Sequence, residues 1–194
     1  MNISPSELIL GGQKSGKSAR AENIARHWLA QDLTRRAVLI ATAQAWDAEM
    51  TQRIQRHQQD RALRVPRLAT REEPLYLAHA LRECSQANTL VVIDCMTLWL
   101  TNFLMPAEQA FNAKLGMDAF DQQAKDLIAA ITQAKAPVVL VSNEIGLGVI
   151  PLGAQVRQFV DRLGGLNQAL AAACQRVTLM SAGLPLTLKE PHEI

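Results

Sequence analysis

The residues best suited to chemistry form a short glycine-rich stretch near the amino terminus, GGQKSGKS at positions 11–18. It matches GxxxxGK[ST] at every fixed position, follows an apolar run and opens a segment with helical spacing. Glycines let the backbone curl so that successive N–H groups face phosphate oxygens. Lys17 can then supply charge to the outer phosphates, and the Ser18 hydroxyl can ligate Mg²⁺. The pattern predicts a nucleoside triphosphate site built from Gly11, Gly12, Gln13, Lys14, Ser15, Gly16, Lys17 and Ser18.

Such a site also requires an acidic residue at the end of a neighbouring strand, where it can hold Mg²⁺ directly or through water. Asp94 follows the apolar run Leu90–Ile93 and is the candidate. An aspartate at a strand end is also common as a turn residue or a helix cap. The phosphate loop upstream favours a metal or substrate role for Asp94.

A third candidate is a helical face that gathers arginines around one histidine. The pattern is common on ordinary solvated helix surfaces. It also fits a face that handles a triphosphate, in which arginines bind phosphate oxygens and His57 acts as base, acid or nucleophile. The residues alone leave both interpretations open. At helical spacing, the face and its flanks hold Glu49, Arg53, Arg56, His57, Asp60, Arg61 and Arg64.

A fourth candidate is the loop that follows the apolar run 138–141. Ser142, Asn143 and Glu144 come directly after that run, and Gly146 and Gly148 follow them. Open α/β sheets bind ligands at the carboxyl ends of their strands, which favours substrate contact here. The glycines can equally serve only to turn the chain toward the next helix.

These residues must be positioned by a sheet, because short apolar runs alternate along the chain with longer amphipathic stretches. We expect an α/β fold of three layers, a RecA-like P-loop architecture whose mostly parallel sheet is flanked by helices. Thr70 with Glu73 predicts a capping box for the third helix. Expected strands are Leu8–Leu10, Val38–Ala41, Leu90–Ile93, Val138–Val141 and Val177–Met180, with a weaker one at Val65–Leu68 and an edge strand at Leu184–Leu188. Expected helices are Lys17–Gln31, Ala48–Leu63, Glu72–Ser85, Met96–Leu104, Asp118–Ala134 and Ala154–Ala173, with Met105–Met117 irregular.

The composition argues against several other classes of protein. The 194 residues favour a single domain over 1–194, and 48% hydrophobic with 20% charged residues argues against disorder and coiled coil. A net charge of +2 provides no argument for nucleic acid or an anionic membrane. No apolar run reaches the ~18 residues of a membrane span, and the start lacks a secretory signal pattern, so we expect a cytoplasmic protein without membrane insertion. The cysteines, expected to be small buried hydrophobes, are Cys84, Cys95 and Cys174.

Together these motifs resemble the bifunctional adenosylcobinamide kinase / adenosylcobinamide-phosphate guanylyltransferase family of cobalamin biosynthesis. The resemblance is collinear over nearly the whole chain. VSNEIGLGVIP and the Thr42-Ala43-Gln44 turn are far more specific than the phosphate loop, which many families share. The segments that carry it are GGQKSGKS (11–18), IATAQAWDAEM (40–50), RIQRHQQDR (53–61), ATREEP (69–74), VIDCMTLWLTNFL (92–104), VSNEIGLGVIP (141–151) and GLNQALAAACQRVTLMSAGLPLTLK (165–189).

The resemblance implies two reactions. ATP or GTP phosphorylates adenosylcobinamide, and GMP from GTP is then transferred to adenosylcobinamide phosphate through a GMP-histidine phosphoramidate. The nucleophile falls on His57, and Arg56 stands where some members have a second histidine. A homo-oligomer, a trimer in the family, is also implied. Besides the phosphate loop, the implied nucleotide contacts are Thr42, Ala43, Gln44, Gln58, Gln59, Asp60, Arg61, Glu72 and Asp94.

Two other functions remain open. A small P-loop kinase of another metabolite would transfer only the γ-phosphoryl group. A nucleotide-sensing module would bind ATP or GTP tightly and would not turn over cobinamide. Covalent labelling of the protein by GMP distinguishes the bifunctional enzyme from both.

Overall fold

A computed structural model describes residues 2–105 and 116–190. The strands are β1 (Ser6–Gly11), β2 (Arg36–Ala41), β3 (Leu68–Glu72), β4 (Thr89–Asp94), β5 (Val138–Val141), β6 (Arg176–Ser181) and β7 (Leu184–Lys189). The helices are α1 (Lys17–Gln31), α2 (Ala48–Arg64), α3 (Leu77–Cys84), α4 (Met96–Leu104), α5 (Gly116–Thr132) and α6 (Ala154–Ala173). The predicted α/β class is confirmed.

Within these residues the seven strands form one sheet in the order β3-β2-β4-β5-β1-β6-β7. All pairings are parallel except that of β7, which runs antiparallel to β6 at the edge of the sheet. β5 therefore separates β4 from β1. The carboxyl ends of β2, β4, β5 and β1 meet at one edge, where open α/β sheets bind ligands.

Two apolar layers cover the faces of the sheet. On one face, Trp99, Phe103 and Phe120 of α4 and α5 pack at ring-centroid distances of 5.1 to 5.8 Å, with α3 and α6 alongside. On the other face, α1 buries Ala21, Ile24, Ala25 and Trp28, which follow one another at helical spacing. The helix that starts at the phosphate loop is therefore held to the sheet by its own apolar stripe.

The predicted strand at Val65–Leu68 and the helix at Glu72–Ser85 are corrected by the structure. β3 starts at Leu68 and continues to Glu72, because it pairs with β2 through the register Ala37 to Leu68 and Ala41 to Glu72. Thr70 consequently lies in a strand, and the predicted capping box does not form. Instead, the Glu73 carboxylate accepts hydrogen bonds from the backbone of Leu75 (3.0 Å) and Tyr76 (2.8 Å), just before α3.

Other differences are smaller. Of the stretch Met105–Met117, residues 106–115 lie outside the described part, and α5 already begins at Gly116. Cys174 is buried as expected, whereas Cys84 and Cys95 are only partly buried. No helix in the described ranges has the length and apolar character that crossing a membrane demands.

Candidate active site

The phosphate loop connects β1 to α1 through backbone conformations that need glycine. Gly11 has φ 150° and Gly16, at the start of α1, has φ 101°. A Cβ on Gly11 would lie 2.5 Å from the carbonyl oxygen of Met180. The turn between β6 and β7 supports the loop from outside, because Gly183 N–H donates to the Ser15 carbonyl at 3.0 Å. The backbone of the adjacent β6–β7 turn therefore helps to hold the phosphate loop in its curled conformation.

Two polar groups of the loop lie in its interior. Lys17 is 8% exposed, and its Nζ donates a 2.6 Å hydrogen bond to the carbonyl of Gly12. Burial lowers the pKa of Lys17, and the nearby Cys95 and Asp94 oppose that shift. The Ser15 hydroxyl oxygen is buried and has no hydrogen-bond partner among the described residues. A buried ammonium and an unsatisfied hydroxyl are the groups that a bound phosphate would satisfy.

Asp94 lies at the carboxyl end of β4 and faces the same loop. The Ser18 hydroxyl donates to Asp94 Oδ2 at 2.8 Å, so the two predicted metal ligands are in direct contact. Burial raises the pKa of Asp94, and this is opposed by the Ser18 hydrogen bond and by Arg61, His57 and Lys17. Asp94 therefore interacts electrostatically both with the phosphate loop and with two side chains of α2.

The Thr42-Ala43-Gln44 turn follows β2, beside Asp94. Thr42 N–H donates to the Asp94 carbonyl at 3.1 Å. The Thr42 side chain is fully buried and is bound to the backbone of Cys95, accepting from its N–H and donating to its carbonyl, both at 2.8 Å. Gln44 accepts from the Trp46 indole at 2.8 Å. Thr42 therefore joins two strand ends, while Ala43 and Gln44 remain partly exposed beside them.

His57 lies on α2, as predicted, and its side chain is exposed. A positive charge on His57 would lower the pKa of the Asp94 carboxyl. Arg61, one turn further along, exerts the same effect on Asp94 and donates to Thr70 Oγ1 at 3.1 Å. Among the predicted contacts on this helix, His57 and Arg61 are therefore the two whose charges act on Asp94.

The remaining predicted contacts on α2 and β3 are more peripheral. Gln58 Nε2 lies 3.4 Å from the exposed carboxylate of Glu72, at the end of β3. Gln59 and Asp60 are exposed on the helix, and the Asp60 carbonyl accepts from Arg64 Nε at 3.1 Å. These four residues form the rim on the β3 side.

Glu22 is a buried carboxylate at this site that lies outside all the sequence motifs. It lies on α1 one turn after Ser18 and contacts Arg64 at 3.2 Å and Arg61 at 3.9 Å. Burial raises the pKa of Glu22, and Arg64 and Arg61 oppose the shift. The sequence does indicate this position, because Glu22 follows Ser18 at i, i+4 spacing, which places both residues on one face of the helix.

The loop after β5 is fastened to the phosphate loop. Glu144 N–H donates to the Gly11 carbonyl at 3.0 Å, and the buried Ser142 hydroxyl donates to Asn167 of α6 at 2.7 Å. Beyond Glu144, an open cavity of about 770 Å³ extends between residues 144–151, α6 and the last two strands. Its size is in the range of small-molecule sites.

The fold and the phosphate loop, with the Ser18 and Asp94 pair, define the class of protein: a P-loop nucleotide-binding protein of the α/β type. Residues 7–188 match the family model described as cobinamide kinase / cobinamide phosphate guanyltransferase. The chain belongs to that family.

Curated relatives agree with this assignment. The chain is 43% identical to the bifunctional adenosylcobalamin biosynthesis protein CobP of Pseudomonas aeruginosa, over 94% of this chain and 96% of the relative. It is 33% identical to the bifunctional adenosylcobalamin biosynthesis protein CobU of Escherichia coli, over 94% and 98%.

Among solved structures, flagellar accessory protein FlaH from Methanocaldococcus jannaschii superimposes with a TM-score of 0.53, covering 97% of this chain and 80% of that chain. At 12% identity this likeness concerns the fold alone.

Proposed function

We propose that this chain phosphorylates adenosylcobinamide and then transfers GMP from GTP to adenosylcobinamide phosphate, with His57 as the covalent nucleophile. Family membership supports the pair of reactions. The observation that carries the role of His57 is its place on α2, one turn before Arg61, which contacts Glu22 of α1 at 3.9 Å, and Glu22 lies one turn after Ser18 of the phosphate loop. An exposed imidazole beside a phosphate site is accessible to a bound nucleotide.

In the first half of guanylyl transfer, a neutral imidazole nitrogen of His57 attacks the α-phosphorus of GTP. A nitrogen–phosphorus bond forms, and the bond from that phosphorus to the bridging oxygen of the β-phosphate breaks. Pyrophosphate leaves with the electron pair. Lys17 and Arg61, whose charges both act on Asp94, stabilise the negative charge that develops on the departing oxygens.

In the second half, a phosphate oxygen of adenosylcobinamide phosphate attacks the same phosphorus, and the bond to His57 breaks. The products are adenosylcobinamide-GDP and a free imidazole. Division into two displacements allows the bulky corrinoid to enter after pyrophosphate has left. In the kinase reaction, Lys17 instead stabilises the transferring γ-phosphoryl group.

Mg²⁺ fits the oxygen pair of Ser18 and Asp94, because Mg²⁺ prefers hard oxygen ligands and is commonly held by one or two protein groups together with phosphates and water. Across residues 2–105 and 116–190 there is no cluster of three or more His, Cys, Asp or Glu that could hold a metal alone. We therefore propose that the ion binds with the nucleotide. When bound, it would neutralise charge on the phosphate oxygens.

We further propose a cytoplasmic homo-oligomer, a trimer by resemblance, that uses no nucleic acid. Leu147, Val149, Ile150 and Leu152 are exposed on the loop after β5, and exposed apolar patches of this kind commonly mark interfaces between proteins. Sedimentation equilibrium measures the subunit number directly, and a monomer at micromolar concentration would contradict the oligomer.

The decisive experiment is covalent labelling with GTP that carries label on the α-phosphate. We expect acid-labile label on the wild-type protein and its loss in His57→Ala, because a phosphoramidate hydrolyses in acid. His79→Ala is the matched control, since His79 is an exposed histidine on α3 that pairs with Glu83. Label in His57→Ala equal to wild type would contradict the nucleophile. Cobinamide phosphorylation without any label would instead indicate a simple kinase, and tight binding without turnover a sensor.

A further inference from the structure

Helix α2 carries the nucleophile of the proposed reaction and yet has no buried residue. Apolar packing therefore contributes less to its position than it does for α1. In the described chain, the polar contacts that join α2 to other elements come from its carboxyl-terminal half, through Gln58, Arg61 and Arg64. The position of His57 depends on those contacts.

Glu22 is the most buried partner in this set, at 7% exposure. Its Oε2 lies 3.2 Å from Arg64 Nη1, and its Oε1 lies 3.9 Å from Arg61 Nε. A carboxylate removed from water is costly unless a cation accompanies it, so the two arginines are held close to Glu22. Glu22 thereby fixes the end of α2 against α1.

The spacing along both helices connects this contact to the reacting groups. Glu22 lies one turn after Ser18 on α1, and Arg61 lies one turn after His57 on α2. One helical turn, an ion pair and a second turn thus link the phosphate loop to the imidazole. We infer that Glu22 is a positioning residue for guanylyl transfer, which holds His57 at reacting distance from the α-phosphorus through Arg61 and Arg64.

This inference rests on the proposed function, because it requires His57 to be the nucleophile. It predicts unequal effects on the two activities. The kinase reaction uses Lys17 and Ser18, whose helix is secured by its own buried stripe, and it needs no nucleophile from α2. Guanylyl transfer depends on alignment within about 1 Å, and misplacement on that scale can cost ~10²-fold in rate.

The test compares four proteins with wild type: Glu22→Gln, Arg64→Gln, the double variant, and Glu7→Gln. Single-turnover GMP labelling, cobinamide phosphorylation and thermal unfolding are measured on each. Glu7 is the matched control, since it is also a buried carboxylate between two arginines, Arg20 at 2.8 Å and Arg176 at 4.0 Å, but lies near the opposite end of β1 from the phosphate loop.

We expect Glu22→Gln and Arg64→Gln each to slow labelling by roughly 10- to 100-fold while phosphorylation changes by less than about 3-fold. The double variant should be no slower than the slower single variant, because both substitutions remove one interaction. Glu7→Gln should lower the unfolding temperature without a selective loss of labelling.

Labelling at the wild-type rate in Glu22→Gln overturns the inference and leaves the proposed function intact. The inference is also overturned if Glu22→Gln slows labelling and phosphorylation equally, and if Glu7→Gln shows the same two losses at the same decrease in unfolding temperature. If Glu22→Gln does not fold, Arg64→Gln decides, since Arg64 is 47% exposed and Arg61 still accompanies Glu22 in that variant; normal labelling there overturns the inference. Absence of label in wild type overturns the proposed function itself.

Discussion

The phosphate loop and helix α2 are attached to the sheet in opposite ways. The loop lies between two strand ends and a turn, with its backbone bound to Glu144 and Gly183. Helix α2 lies on the surface, has no buried residue and contacts its neighbours through charged and amide side chains. Phosphate recognition by backbone N–H groups requires a fixed backbone, whereas a nucleophile needs only one side chain at the correct distance.

This contrast predicts which of nucleotide binding, catalytic rate and stability is lost when residues of each region are substituted. Substitutions in the phosphate loop should affect binding, both reactions and, at the glycines, the fold itself. Substitutions at exposed residues of α2 such as His57 should separate one reaction from the other and leave stability nearly unchanged.

Lys17→Ala is expected to have the largest effect, a fall in cobinamide phosphorylation of about 10²- to 10³-fold. The buried ammonium is the charge closest to the loop interior, where the transferring phosphoryl group would lie. Steady-state kinase assays measure the loss, and circular dichroism verifies that the fold is retained. Lys14→Ala, an exposed lysine of the same loop, is the control and should lose much less. Wild-type rates in Lys17→Ala would refute the assignment.

Gly11→Ala tests, through the stability of the protein, whether the phosphate loop is tightly packed. A Cβ there would meet the Met180 carbonyl and the Ser15 hydroxyl at 2.5 Å, at a φ that disfavours side chains. We expect the free energy of unfolding to fall by about 1–3 kcal/mol in urea titrations. Gly12→Ala is the matched control, since among the described residues no heavy atom beyond its chain neighbours lies within 4 Å of a Cβ placed there, and its free energy of unfolding should change by no more than about 0.5 kcal/mol. Equal stabilities of the two variants would show that the loop is not tightly fitted.

His57→Ala should have the smallest effect on stability. Its side chain is exposed on a helix without buried residues, so the free energy of unfolding should change by at most about 0.5 kcal/mol. Urea titration checks this on the same preparation that has lost GMP labelling. A loss of several kcal/mol would mean that α2 is held by the histidine, and the contrast between the two regions would then be wrong.

Much of the fold could be predicted from the sequence, because apolar periodicity follows directly from which faces are buried. The bounds of α1, α4, α6 and β5 agree with the predicted ones residue for residue. The region from Val65 to Leu77 could not be placed, because Thr70 and Glu73 mimic a helix start. Pairing with β2 at the sheet edge outweighed that local signal.

The sequence by itself determined the phosphate loop, since glycines at fixed spacing after a strand permit the positive φ angles that this turn requires. It also determined that His57 and Arg61 share a helix face, because that depends only on the helical repeat. Only the tertiary structure decided that Asp94, Ser18 and Glu22 meet the end of α2. Those contacts join residues far apart in the chain, and they depend on the strand order and on the position of α2 over α1, neither of which local periodicity encodes.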